Sequence, residues 1–234
     1  MIKIRYVFSL QEKGEKKVFE VNLDPQTLDI VQENKLTPDW TQLGFYKCNV
    51  CPLDSARHPH CPVAVNIASV AETFANIVSC ERAEVTVETE ERRVCKETQI
   101  ADGLYSLLGI YMASSGCPML EKLKPMVRFH LPFASIDETA YRAVTMYLAA
   151  QYFRMKKGLK PDWELTGLTH IYEGVRDVNI CFTERLRNAS KQDSMLNSIV
   201  NLDMFAIMLS VPTLSNDLEY LFAPYFKEGA QTAK

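Results

Sequence analysis

Apolar and polar residues alternate at the start of the chain. Residues 2–9 (I-K-I-R-Y-V-F-S) and 16–23 (K-K-V-F-E-V-N-L) each carry the two-residue period of a half-buried strand. Q-E-K-G-E joins them, and Gly14 is free to take a positive φ, which predicts an antiparallel hairpin. Asp24-Pro25 then reads as the start of a short helical segment to about residue 32, and the polar residues 33–47, with Pro38 and Gly44, as a loop. After Pro62 the period lengthens: Val63, Ile67, Val70, Phe74, Ile77 and Val78 recur at three- and four-residue spacing and predict a helix. Alternation returns over 83–89 and has changed phase by Val94 and Cys95, which predicts a turn or bulge near Glu90–Glu91. Glu84, Glu88, Glu90 and Glu91 read as the solvated face of that strand rather than a metal site.

From Thr98 onward the pattern is helical. Ile100, Leu104, Leu107, Leu108, Tyr111 and Met112 share one side, with Gly116 as a cap just before Cys117. Residues 125–134, with a proline near each end, read as extended. Ser135-x-x-Glu138 is a capping box for a helix to about Lys157, closed by Gly158 and Pro161. Leu168, Ile171, Val175, Val178 and Phe182 mark a helix over 163–187, and further helices are expected at about 193–210 and 215–226. The predicted fold class is α+β: an N-terminal antiparallel hairpin and short strands with helices, followed by a C-terminal helical bundle. Two parts are expected, 1–98 and 99–234, with no flexible linker between them and packed as one unit.

Composition narrows the function. At 234 residues, 47% hydrophobic and 24% charged, the chain is that of an ordinary globular protein. A formal net charge of −3 gives no field to recruit nucleic acid, and the basic groups at Lys122–Arg128 and Arg154–Lys160 sit near predicted helix ends. The N-terminus lacks the apolar run of a signal peptide, and no stretch is apolar and long enough to span a membrane. The expected partners are therefore neither nucleic acid nor membrane, leaving a second copy or a protein partner through the helical part. Seven cysteines, an odd number, with no export signal place the chain in a reducing cytoplasm and argue against a disulfide framework.

Those cysteines carry the chemistry. Cys48, Cys51 and Cys61 fall within K-C-N-V-C-P-L-D-S-A-R-H-P-H-C-P-V, and Cys117 within S-G-C-P-M-L. The C-x2-C turn sets two sulfurs on the same side, as a metal site requires. Pro62 makes Cys61 the N-cap of a helix, where the positive end favours a thiolate, and Pro118 suggests the same for Cys117. Pro52 cannot take the left-handed turn that zinc ribbons place after the second cysteine, whereas cysteine–proline is frequent beside iron–sulfur ligands. The expected cofactor is an iron–sulfur cluster on Cys48, Cys51, Cys61 and Cys117. Zinc is the alternative, on Cys48, Cys51 and Cys61 with His58 or His60 as fourth ligand. Inert buried thiols, or an enzyme with a reactive Cys61 or Cys117, are the remaining readings. Arg57, Arg128 and His130 are candidates for an anion pocket beside the metal, with the catalytic residues, if any, unknown. Cys80, Cys95 and Cys181 each stand alone in helix or strand periodicity and read as ordinary buried cysteines.

The segments C-x2-C-P-L, H-C-P-V-A, S-G-C-P-M-L and R-F-H-L-P-F-A, across roughly residues 45–135, resemble a bacterial protein family of no known function. The resemblance implies no activity, substrate or partner. The expectation from the residues is a cytoplasmic metal-binding protein with a structural or redox-sensing centre.

Overall fold

The computed structural model describes residues 1–11, 14–32, 35–75, 77, 80–189 and 218–226. Four antiparallel strands form one sheet in the order β2-β1-β3-β4: β1 (Ile2–Leu10), β2 (Glu15–Leu23), β3 (Arg82–Glu88) and β4 (Arg93–Gln99). The two-residue period sends Ile4, Tyr6, Phe8 and Leu10 of β1 to one face, where the register sets Tyr6 between Phe19 of β2 and Val87 of β3. The other face is wet. There Arg5 meets Glu88 at 2.8 Å, and Arg93 lies 3.5 Å from the same carboxylate, as a charged strand face would arrange itself.

Two helices cover the apolar face. α1 (Pro62–Thr73) brings Val63, Ile67 and Val70 into the core, and Phe74 behind it packs edge-on to Phe8 at 5.1 Å. α2 (Ile100–Ala113) is buried on almost every side, and each fully buried leucine on it is worth about 1.5–3 kcal/mol relative to exposure. It lies so close to the sheet at Gly103 that a Cβ there would stand 2.7 Å from Phe8 and 2.9 Å from Val85. Beyond Gly116, which takes a φ of +85°, a 3-10 turn at Glu121–Leu123 leads into α3 (Lys124–Arg128). The capping box on Ser135 and Glu138 forms as expected and opens α4 (Ile136–Lys156). α5 (Thr166–Ala189) and a last turn, α6 (Ala223–Phe226), complete the described helices.

The α+β class is observed, with strands confined to the first hundred residues among those described. One core runs through both parts, from Tyr6 and Val85 of the sheet to Val178 and Phe182 of α5. Local departures have clear causes. Residues 24–32 are not helical: Asp24 Oδ1 accepts the amides of Gln26 and Thr27 in an Asx turn, Leu28 takes a φ of 60°, and Ile30 returns to bridge Leu23. Residues 124–128 are helical rather than extended, because Pro125 sits in the first turn, where its missing N–H costs nothing. The helix after Pro62 ends at Thr73, short of Ile77, and the expected helix at 193–210 lies outside the described residues.

Candidate functional site: thiols around a buried arginine

The loop before α1 builds the first half of the site. Cys51 N–H donates to the Cys48 carbonyl at 3.0 Å, closing the C-x2-C turn. Cys61 N–H donates to the Thr41 carbonyl at 2.7 Å, and Leu43 N–H to the Pro59 carbonyl at 2.8 Å, so residues 41–43 and 59–61 run side by side. His60 Nδ1 is engaged by the Thr41 hydroxyl at 2.9 Å, while His58 and Arg57 are exposed on the intervening turn. Cys61 is the N-cap of α1, as the sequence predicts.

The second half comes from far along the chain. The Cys117 thiol lies within charge–charge range of Cys61 and Cys51, and Cys48 within range of Cys61 and Cys117. The four cysteines singled out in the sequence therefore occupy one region, with Cys61 and Cys117 buried and Cys48 and Cys51 half-buried. A fifth thiol joins them: Cys181, on α5, neighbours the Cys48 sulfur. It is not the isolated cysteine its helical position suggested. Cys80 and Cys95, expected to be buried, are exposed.

Arg185, one turn beyond Cys181, is the residue that sequence reasoning missed. It is 1% exposed. Its Nη1 donates to the carbonyls of Trp40 at 2.6 Å and Gln42 at 2.8 Å, and its Nη2 to those of Leu43 and Tyr46 at 3.3 Å each. The Phe45 ring lies 5.8 Å from the guanidinium. Among the described residues no carboxylate pairs with it; the acidic groups around it are the thiols of Cys61, Cys48, Cys51 and Cys181. Burial pushes the guanidinium below its ordinary value, and the thiols oppose that shift. The signal was present in the sequence: the stripe Val175, Val178, Phe182 continues at the next three-residue step onto a charged residue.

Burial also governs the thiols. It raises Cys48 strongly, raises Cys61, and lifts Cys117 to about 11. The Val63 and Ala64 amides favour a Cys61 thiolate, but neither makes a full capping hydrogen bond to the sulfur and desolvation outweighs them. The expected lowering by the helix terminus is thus reversed in the protein as it stands. Among the described residues no three His, Cys, Asp or Glu side chains converge tightly enough to hold an ion without adjusting.

The expected anion-pocket residues are dispersed. Arg57 is exposed, Arg128 lies over Phe129 with 5.6 Å to the ring centroid, and His130 is hydrogen-bonded to Tyr6 under the sheet. His130 lines a cavity to which neither Arg57 nor Arg128 contributes. No helix among the described residues is long and apolar enough to cross a membrane.

Fold and site define an α+β protein in which thiols gather around a buried guanidinium held by backbone carbonyls. A family model, DUF6901, described as a domain of unknown function, matches residues 2–225, and the chain belongs to that family. No curated protein and no solved structure matches it.

Proposed function

We propose that the protein carries a cysteine-ligated metal centre, with Cys48, Cys51, Cys61 and Cys117 as its ligands and an iron–sulfur cluster as the favoured cofactor. The observation that supports this reading is the environment of Arg185. A guanidinium taken out of water without a counter-ion costs several kcal/mol, and backbone carbonyls return only part of that. Thiolates drawn together by a metal leave a net negative charge beside it, which completes the balance. Small rotamer changes at the half-buried Cys48 and Cys51 are the adjustment that ligation asks for. The raised thiol pKa values disfavour the alternative of a nucleophilic Cys61 or Cys117, since burial keeps both protonated until something displaces the proton.

In this reading the centre fastens the loop before α1, the turn after α2 and the face of α5 to one another, in a structural or redox-sensing role. It operates in the reducing cytoplasm, where seven unpaired cysteines persist. In the same reading the helical part after Gln99 forms a bundle, which is also the surface for a second copy or a protein partner. Zinc on Cys48, Cys51 and Cys61 with His60 remains the second reading. His60 is half-buried and fixed by Thr41, whereas His58 stands in solvent.

The test is metal analysis and an absorption spectrum of anaerobically purified protein. Stoichiometric iron with sulfide and visible charge-transfer bands is the expected result. Cys117→Ser should abolish it, and His60→Ala should not. Arg185→Met should lower metal occupancy and also loosen the metal-free loop, because it removes the donors that hold the Trp40, Gln42, Leu43 and Tyr46 carbonyls. Protein that holds no stoichiometric metal under these conditions overturns the proposal. Retention of zinc by Cys117→Ser, with loss in His60→Ala, replaces the cluster with the local zinc site.

A further inference from the structure

A cavity of ≈ 140 Å³ lies between α2, the Glu121–Leu123 turn with α3, the start of α4, and α5. None of the five clustered cysteines lines it, and neither does Arg185. Its walls are apolar, through Ile110, Ala113, Leu123, Val127 and Val175. No aspartate or glutamate is among the described lining residues.

The polar side chains that interrupt this lining are unusual for a packing defect. Arg142 is half-buried, and its Nη2 donates to the carbonyls of Met126 at 2.7 Å and Phe129 at 2.9 Å. Among the described residues it pairs with no carboxylate. Glu138 acts on it from the exposed start of α4, but there accepts the Ser135 amide at 2.7 Å. The Tyr105 and Tyr172 phenols and the His130 imidazole surround the same guanidinium. His130 is neutral, since burial and the Arg142 charge together lower it to about 3. That leaves Arg142 as the cation of the cavity. Asn179, 1% exposed on the α5 wall, carries an amide whose nitrogen and oxygen both lack a partner among the described residues. A buried amide left so costs about 1–3 kcal/mol and is seldom kept without a role.

We propose that this cavity is a binding site for a small apolar monocarboxylate, its carboxylate on the Arg142 guanidinium and its hydrocarbon body between α2 and α5. One guanidinium in an otherwise apolar cavity matches a monoanion, whereas a phosphate dianion or a sugar would meet walls of leucine, valine and methionine. The volume sets the body at about one aromatic ring or a short alkyl chain, since a cavity of about 150 Å³ holds benzene. Leu131, Ala134 and Thr139, partly exposed lining residues where α3 hands over to α4, serve as its mouth in this proposal.

The site is tested with benzoate and hexanoate as probes and benzyl alcohol as the uncharged control, by calorimetry and amide chemical shifts. The expected result is that at least one acid binds, with shifts at Ala113, Val127 and Val175, and that the alcohol binds about tenfold more weakly or not at all. Arg142→Gln should weaken the acid by about tenfold and leave the alcohol unchanged. Because Arg142 also holds the end of α3, a second variant is needed: Ala134→Leu closes the mouth without touching that contact and should abolish binding of both acids. Failure of both acids to bind at millimolar concentration overturns the proposal. So does equal affinity for acid and alcohol, undiminished binding in a folded Arg142→Gln or Ala134→Leu variant, or shifts confined to residues away from the cavity. Metal content is unaffected in every arm.

Discussion

His130 shows how a single half-buried group sets a pH response. Its imidazole shares a hydrogen bond with the Tyr6 hydroxyl, whose oxygen lies beside the Ser106 hydroxyl; Ser106 Oγ in turn accepts the Phe133 amide at 2.9 Å. This chain of polar contacts crosses from the sheet through α2 to the loop before α4, and desolvation together with the Arg142 charge keeps the His130 ring neutral. The folded state holds His130 at about 3, and the unfolded chain returns it to about 6.5. Acidification therefore protonates the unfolded state first. The contribution of His130 is complete above pH 6.5 and is lost as pH falls from there toward 3, at about 1.4 kcal/mol per pH unit. Between pH 6.5 and 4.5 the wild type should lose about 2–3 kcal/mol more than His130→Gln, whose amide keeps an acceptor for Tyr6 but does not titrate in this range. Denaturant melts of both proteins across that interval check the difference, and parallel curves would contradict it.

The elements whose pattern was legible are those whose periodicity and end signals agree. The hairpin, β3, α2 and α4 all combine a clean two- or three-to-four-residue period with a turn or capping residue at the boundary. Where two local signals competed, the reading failed. Asp24-Pro25 suits a helix start and an Asx turn equally, and the turn won because Ile30 had to return to Leu23. The prolines near residues 125–134 suggested an extended stretch, yet Pro125 opens a helix. The site divided in the same way. The C-x2-C turn and the Cys61 cap are local and could be read. Cys181 and Arg185 could not be assigned, because helical periodicity shows which side of α5 is buried and not what that side will meet.

The close seat of α2 on the sheet gives this scale its own test. Alanine at Gly103 would improve helix propensity by about 1 kcal/mol. It would also drive a methyl into the Phe8 ring and Val85, both fully buried and without space to withdraw. The second effect is larger, so Gly103→Ala should destabilise the fold by about 1–2 kcal/mol in equilibrium unfolding. A stabilised variant would mean that α2 can lift from β1 and β3.

At the scale of the molecule, the thiol region is held by contacts between distant parts of the chain. The Arg185 bonds to Trp40, Gln42, Leu43 and Tyr46 span 145, 143, 142 and 139 residues. Those of the hairpin close at once. In refolding without metal, the β1–β2 amides should be protected while Cys48, Cys51 and Cys61 still react with an alkylating pulse, and these thiols should be shielded only when α5 docks. Cys80 and Cys95, exposed in the folded protein, react throughout and calibrate the pulse. Simultaneous protection of hairpin and thiols would show that the two regions form together.

The same arginine fixes a schedule on the ribosome. The carbonyls that receive Arg185 emerge 139 to 145 residues before it does. At ~5–20 residues per second that is an interval of roughly seven to thirty seconds. Throughout it, Cys48, Cys51 and Cys61 sit in a loop without its anchor, as open thiols accessible to oxidants and alkylating reagents. Once α5 is made and Arg185 is seated, Cys61 is buried and Cys48 and Cys51 are half-covered. Covering of these thiols thus waits for the synthesis of α5, and a nascent chain stalled before α5 would present its thiols without the means to cover them.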